Sequence, residues 1–174
     1  MSRSLFAALL LVPVLAVAGC GSDAGTTDSP SSPAASASAV LSTDGVTVSG
    51  EPGSEPTISI DTAAQAPSEL VVKEIEPGTG KAIKPNSLVT VQYVGSAWST
   101  GQVFQSSWAT GELEFPIKGV IPGWQQGLQG AKQGARVLLI IPPEQAYGAN
   151  PPPGSGIEAN DTLVFVVDVV KVSS

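Results

Sequence analysis

Past its N-terminal region this chain has one stretch that reads as a helix, Val120-Ile121-Pro122-Gly123-Trp124-Gln125-Gln126-Gly127-Leu128, and that stretch is too short to exist alone. Two branched apolar residues lead into a Pro-Gly corner, where proline presets its backbone angle and glycine relaxes the steric limits. Trp124 and Leu128 stand four residues apart, so one helical face carries both, and Gln125, Gln126 and Gln129 take the other. A helix this short is unstable in water and must be held by packing, here against a sheet. Trp124 then has two readings: an anchor buried in a core, or the floor of an apolar pocket.

The sheet is written on either side of that helix. Leu70 to Ile75 reads as a strand closed by the turn Pro77-Gly78-Thr79-Gly80. Leu88 to Val94 alternates, with Val89, Val91 and Tyr93 on one face and Thr90 and Gln92 on the other, the pattern of a half-buried antiparallel strand. Gln102–Gln105 and Leu113–Ile117 are short strands, with a loop over Ser107–Glu112 between them. Ala135–Ile141 is strongly apolar and stops at Pro142-Pro143, because proline has no amide hydrogen for a ladder. Thr162–Val172 is apolar on both faces apart from Asp168, as in the middle of a sheet. The expected fold class is α+β: a five- to six-stranded bent antiparallel sheet, a half-barrel, around one short helix.

The 174 residues hold one ordinary domain after a low-complexity beginning. The net charge is −7 and the few Lys and Arg are scattered, which argues against a nucleic-acid partner. The chain has no histidine and one cysteine, which removes imidazole acid-base catalysis, the usual triads and any His/Cys metal cage. No Gly-rich phosphate loop or dinucleotide fingerprint is present. Chemistry in this chain must need neither a nucleophile nor a metal, and no cofactor is expected.

The first residues form an address. Arg3 precedes an apolar run from Leu5 to Ala18 that has the layout of a secretory signal and is too short for a comfortable membrane span. Val17-Ala18-Gly19-Cys20 resembles the bacterial lipobox, which implies cleavage before Cys20 and a lipid on its thiol. The alternative is an ordinary signal followed by an incidental free cysteine. The expected organisation is a lipoprotein signal over 1–19, a flexible tether over 20–68, and a folded domain over 69–174. Gly21 to Ala39 is Ser, Ala, Thr, Pro, Gly and Asp, which bury too little surface to offset the entropy of ordering. Within the tether, Val46–Val48 and Thr57–Ile60 alternate and read either as edge strands or as an extended arm, and Ala63–Ser68 returns to linker character.

Five short motifs then carry a resemblance. Tyr93-Val94-Gly95, Val103-Phe104-Gln105-Ser106-Ser107, Val120-Ile121-Pro122-Gly123-Trp124, Ala146-Tyr147-Gly148 and Thr162-Leu163-Val164-Phe165 follow the order and spacing of the FKBP-type peptidyl-prolyl isomerases, over Leu70 to Val172. The resemblance implies a half-barrel around one helix and isomerisation of X-Pro bonds. It implies Trp124 as pocket floor, Tyr93, Phe104, Phe115, Val120, Ile121 and Phe165 as walls, and Ile157 as a further wall. Tyr147 is similar to the family's hydroxyl donor at the rim, and the Ile121 amide to its backbone donor for a bound carbonyl. The implied partners are Pro-containing polypeptides, the membrane through Cys20, and the macrolides that block the family; a monomer is expected.

The chain also departs from that pattern. Gln105 replaces the family's usual aspartate, and the basic partner of that acid is missing around Trp108-Ala109-Thr110, so acid and base have gone together. The Gln105 amide is expected to hydrogen-bond the Tyr93 hydroxyl instead. Leu113 stands where an aromatic is common and Gln145 where a tyrosine is, and the Pro151-Pro152-Pro153 loop has its own form. Trp98 and Trp108 read as surface packing. Two functions follow as expectations: a membrane-anchored prolyl isomerase outside the cytoplasm, or a non-catalytic module that holds Pro-containing peptides as a chaperone or adaptor.

Overall fold

The computed structural model describes residues 41–173. The expected signal segment, Cys20 and the tether expected before residue 41 lie outside the described residues.

The main sheet is built from β4 (Val71–Glu76), β5 (Leu88–Ala97), β6 (Val103–Ser106), β7 (Leu113–Pro116), β8 (Arg136–Ile141) and β9 (Leu163–Ser173). The order is β4-β8-β9-β5-β6, all antiparallel, with β7 also paired to β5. One edge of β5 therefore serves two partners in succession. Leu88–Val91 pairs with β7, and Val94–Ser96 pairs with β6. Between these two pairings Tyr93 has no strand partner on that edge, and the chain after β6 stays beside it, the Ser107 amide donating to the Tyr93 carbonyl at 3.0 Å. Ser107 closes the resulting gap in the ladder: its hydroxyl accepts the Tyr93 amide hydrogen at 2.9 Å and donates to the Gln92 side chain. A buried backbone N–H without such a partner is costly, so this serine fixes where Tyr93 stands.

The helix α1 (Pro122–Gly127) crosses the concave face of the sheet. It lies close to β8 because Gly123 and Gly127 face it; a Cβ at either would collide with Ile141 or Leu139. That close approach presses Trp124 and Leu128 into the inner core, where they join Val89, Val91, Val137, Leu139, Leu163, Phe165 and Val167. The bent antiparallel sheet around one short helix is the α+β fold expected.

Within the segment read as tether, the strand alternative holds for Val46–Val48 and Thr57–Ile60, and a further strand precedes them. Leu41–Thr43 (β1), Val46–Ser49 (β2) and Thr57–Ile60 (β3) form a three-stranded antiparallel sheet in the order β1-β2-β3. The Asp44-Gly45 corner between β1 and β2 has left-handed angles at both residues, φ 48° and 79°, as a two-residue hairpin requires. Val46, Val48 and Ile58 are buried in a second core with Val94, Leu138, Ile140, Val164, Val166 and Trp98, from the convex face of the main sheet. The flexible tether expected through residue 68 thus gives way to packed chain from residue 41. Ala63–Ser68 is no linker either, since Ala64 and Ala66 pack on the second core and the Ala64 carbonyl accepts the Trp98 indole N–H at 3.4 Å. Trp98, read as surface packing, is buried at 5% exposure for the same reason, and Trp108 is half-buried against the same core. The half-buried alternation of β5 holds to Tyr93 and then yields to burial on both faces, because the second sheet covers Val94 onward.

A polar pin fastens the two layers. Arg136 and Asp168 face each other across β8 and β9 and form a two-pronged pair, Nε to Oδ1 at 2.6 Å and Nη2 to Oδ2 at 2.7 Å. The remaining guanidinium hydrogens reach the carbonyls of Gly50, Glu51 and Ser54 in the β2–β3 connection. Arginine is suited to this position because its planar fork satisfies carboxylate and carbonyls together.

Candidate functional site

The concave face holds an apolar cleft of about 340 Å³ beside α1. Trp124 forms the floor. Four aromatic rings meet its indole or one another: Phe165 at 5.2 Å and Tyr93 at 5.3 Å, both with planes at 88°, and Phe115 at 5.6 Å. Phe104 stands edge-on to Phe165 at 5.7 Å. Edge-to-face contacts of this kind favour one ring arrangement over others, so the cleft is preformed. Each wall comes from a different element: Tyr93 from β5, Phe104 from β6, Phe115 from β7, Phe165 from β9. Gly95 lets two of them meet, since a Cβ there would stand 2.7 Å from the Phe165 ring and 2.8 Å from the Phe104 ring.

Ten residues singled out in the sequence border this cleft: Tyr93, Phe104, Gln105, Leu113, Phe115, Val120, Ile121, Trp124, Tyr147 and Phe165. Gly119 borders it as well and carries no signal in the sequence beyond its place before Val120. Ile157 does not line it. Ile157 borders an adjoining depression of about 370 Å³ with Pro152, Pro153 and Ser155, which shares Phe104, Gln105 and Tyr147 with the cleft. Ile157 still packs against the inner core that holds Tyr93, Trp124 and Phe165. The expected bond from Gln105 to the Tyr93 hydroxyl is also absent among the described residues. Gln105 is exposed on β6, a short edge strand whose alternation turns Phe104 inward and its neighbours outward.

Three donors are left for a ligand. Among the described residues the hydroxyls of Tyr93 and Tyr147 and the Ile121 amide make no hydrogen bond. Burial, and then the neighbouring Tyr147, pushes the Tyr93 hydroxyl above its ordinary pKa, so it stays protonated and able to donate. Tyr147 is 37% exposed at the mouth. Ile121 precedes the helix in an extended conformation, φ −57° and ψ 150°, and its carbonyl accepts the Trp124 and Gln125 amides. Gln125, placed on the solvent face by helical spacing, instead folds back onto the loop and donates to Val120 O at 2.7 Å. A dry cage of aromatics with fixed neutral donors can hold a small apolar ring and orient the carbonyls beside it; it offers nothing for bond cleavage.

The FKBP-type peptidyl-prolyl cis-trans isomerase family model matches residues 79–170. This chain belongs to that family. An FKBP relative from Corynebacterium glutamicum, a probable FK506-binding protein, is 46% identical over 108 residues, covering 61% of this chain and 89% of its own. The FK506-binding protein of Streptomyces anulatus is 42% identical over 124 residues, covering 70% of this chain and 92% of its own. Among solved structures, FkpA from Escherichia coli superposes with a TM-score of 0.55 at 42% identity over 60% of this chain; the present FKBP spans 48% of that FkpA chain. The β1–β3 sheet lies outside the stretch matched by the family model.

Proposed function

We propose that this FKBP accelerates rotation about X-Pro bonds in polypeptides outside the cytoplasm, working from a lipid anchor on Cys20. The barrier to rotation, about 18–20 kcal/mol, comes from amide resonance, which the twisted transition state has lost. Its carbonyl is therefore less polar than that of the planar ground state, and an apolar, water-poor cleft disfavours the planar form more. Each tenfold acceleration needs only about 1.4 kcal/mol of such differential binding. The proline ring rests on the Trp124 indole between Tyr93, Phe115 and Phe165. The Ile121 amide takes one flanking carbonyl, and the Tyr147 hydroxyl, at the mouth, another.

The observation that carries this reading is the Trp124 floor, met by rings from three strands with Phe104 of a fourth edge-on to Phe165, beside three donors that have no partner among the described residues. Macrolides of the FK506 type would compete for the same cleft, as the names of two relatives suggest. A protease-coupled assay on an X-Pro peptide tests the function. The slow phase should shorten in proportion to protein and be restored by the macrolide; a pure peptide binder would leave it unchanged.

The extracytoplasmic part rests on the apolar run Leu5–Ala18 and on Cys20 being the only cysteine, at the position a lipobox requires. An acyl anchor of more than one chain holds firmly at a membrane. Replacing Cys20 by alanine should move the protein from the membrane to the soluble fraction, and retention at the membrane would refute the anchor.

A further inference from the structure

We propose that Gln125 is a positioning residue whose side-chain amide sets the direction in which the Ile121 N–H points. The inference rests on the reading of Ile121 as the donor to a substrate carbonyl, and it concerns what aims that donor.

The argument is one of peptide geometry. Gln125 Nε2 lies 2.7 Å from Val120 O and 3.4 Å from Lys118 O. Both partners are carbonyls, so the end of the amide facing them must be the NH₂ end; the flipped orientation would set acceptor against acceptor. Val120 C=O and Ile121 N–H belong to one planar peptide unit, and the described chain has no cis bonds. In a trans unit these two groups point in opposite directions. Holding the oxygen therefore holds the hydrogen.

Among the described residues no backbone hydrogen bond does so. The unit bridges the 3₁₀ turn Ile117–Gly119 and α1, with Val120 at φ −101° and ψ 172° and Ile121 extended. It belongs to no strand, and its N–H has no partner among the described residues. Gly119 on one side is permissive and Pro122 on the other donates nothing. The brace comes from the first turn of the same helix that carries Trp124. One short element thus supplies the pocket floor and aims the pocket's backbone donor.

The test uses the full chain and two substitutions. Gln125→Leu removes the donor, and Gln125→Glu puts a carboxylate against the Val120 carbonyl. Both should lower kcat/KM roughly five- to tenfold, the loss expected when one hydrogen bond is no longer aligned. Gln126→Leu, at the exposed neighbouring position, should leave it unchanged. Amide spectra during titration with an X-Pro peptide separate aiming from folding. In the wild type both the Ile121 amide and the Trp124 indole resonances should move. In Gln125→Leu the indole should still respond while the Ile121 shift is lost. Full retention of the Ile121 shift and of turnover in Gln125→Leu overturns the inference alone. A wild-type chain in which neither resonance responds would sink the functional reading and this inference with it.

Discussion

The Tyr93 ring stands edge-on to the Trp124 indole, centroids 5.3 Å apart and planes at 88°. One residue comes from the long central strand β5 and the other from the short helix α1, so this contact joins the two elements that define the cleft. Trp124→Ala should remove the floor, lower kcat/KM at least tenfold and cost about 3–5 kcal/mol of stability. Tyr93→Ala should lower activity as well. Wild-type turnover in either variant, measured by the coupled assay, would refute the cleft as the site.

Gly95 gives a sharper probe, because it lies against two wall rings without itself lining the cleft. A methyl there meets both Phe165 and Phe104 at under 3 Å, so the rings must part. Gly95→Ala should cost about 1–3 kcal/mol and widen the cage, with a loss of activity larger than the shift in melting temperature explains. Equal activity at a temperature well below the melting transition would show that ring spacing is unimportant.

The Arg136 pin predicts a stability effect remote from the cleft. Arg136→Leu leaves Asp168 without its partner and takes a donor from the Gly50, Glu51 and Ser54 carbonyls, of which Glu51 keeps its bonds from the Ser54 amide and hydroxyl. The expected cost is about 3–5 kcal/mol. Limited proteolysis should then cut between residues 41 and 66 faster than in the wild type. An unchanged cleavage rate there would mean the second sheet is held by its apolar face alone.

That face makes a related prediction about boundaries. A chain starting at residue 69 would uncover Val94, Trp98, Leu138, Ile140, Val164 and Val166. Such a chain should bind a hydrophobic dye and aggregate, whereas one starting at residue 41 should do neither. A soluble, dye-silent chain from residue 69 would count against a structural need for the second sheet.

The site also predicts a flat pH profile. No carboxylate or amine lines it, and burial raises the pKa of the Tyr93 hydroxyl, so kcat/KM should not change between about pH 6 and 9. The raised Tyr93 pKa carries a sign for stability. The folded state disfavours the phenolate, so the contribution is complete below the ordinary value of 10.0 and is lost as pH climbs through the raised folded value. Tyr147→Phe leaves Tyr93 as the only tyrosine. The tyrosinate absorbance of that variant should then rise with a midpoint above 10.0, and a midpoint at or below it would contradict burial of the hydroxyl.

Much of the molecule was legible in the order of residues. Period-two alternation placed β5, proline stopped β8, and the Pro-Gly corner before Trp124 located the helix, because each of these is a local steric or hydrogen-bonding constraint. The cleft residues Tyr93, Phe104, Trp124, Tyr147 and Phe165 were legible only through the resemblance of their motifs to the FKBP family, and the fold brings them together. The Asp44-Gly45 hairpin signal was also present, but Ser- and Pro-rich surroundings hid the strand Leu41–Thr43 and left Val46–Val48 and Thr57–Ile60 open between edge strands and an extended arm.

What only the tertiary structure decided concerns partners distant in the chain. Trp98 is buried because β2 and β3 cover it, and Arg136 is tolerated inside because Asp168 and the β2–β3 carbonyls surround it. Gln125 faces a loop carbonyl where helical spacing sends it to solvent, and Ile157 lines the adjoining depression beside the proline loop rather than the cleft. Sequence encodes which faces are apolar and where the backbone turns; which surface covers a face, and which carbonyl a side chain finds, is settled when separate strands meet.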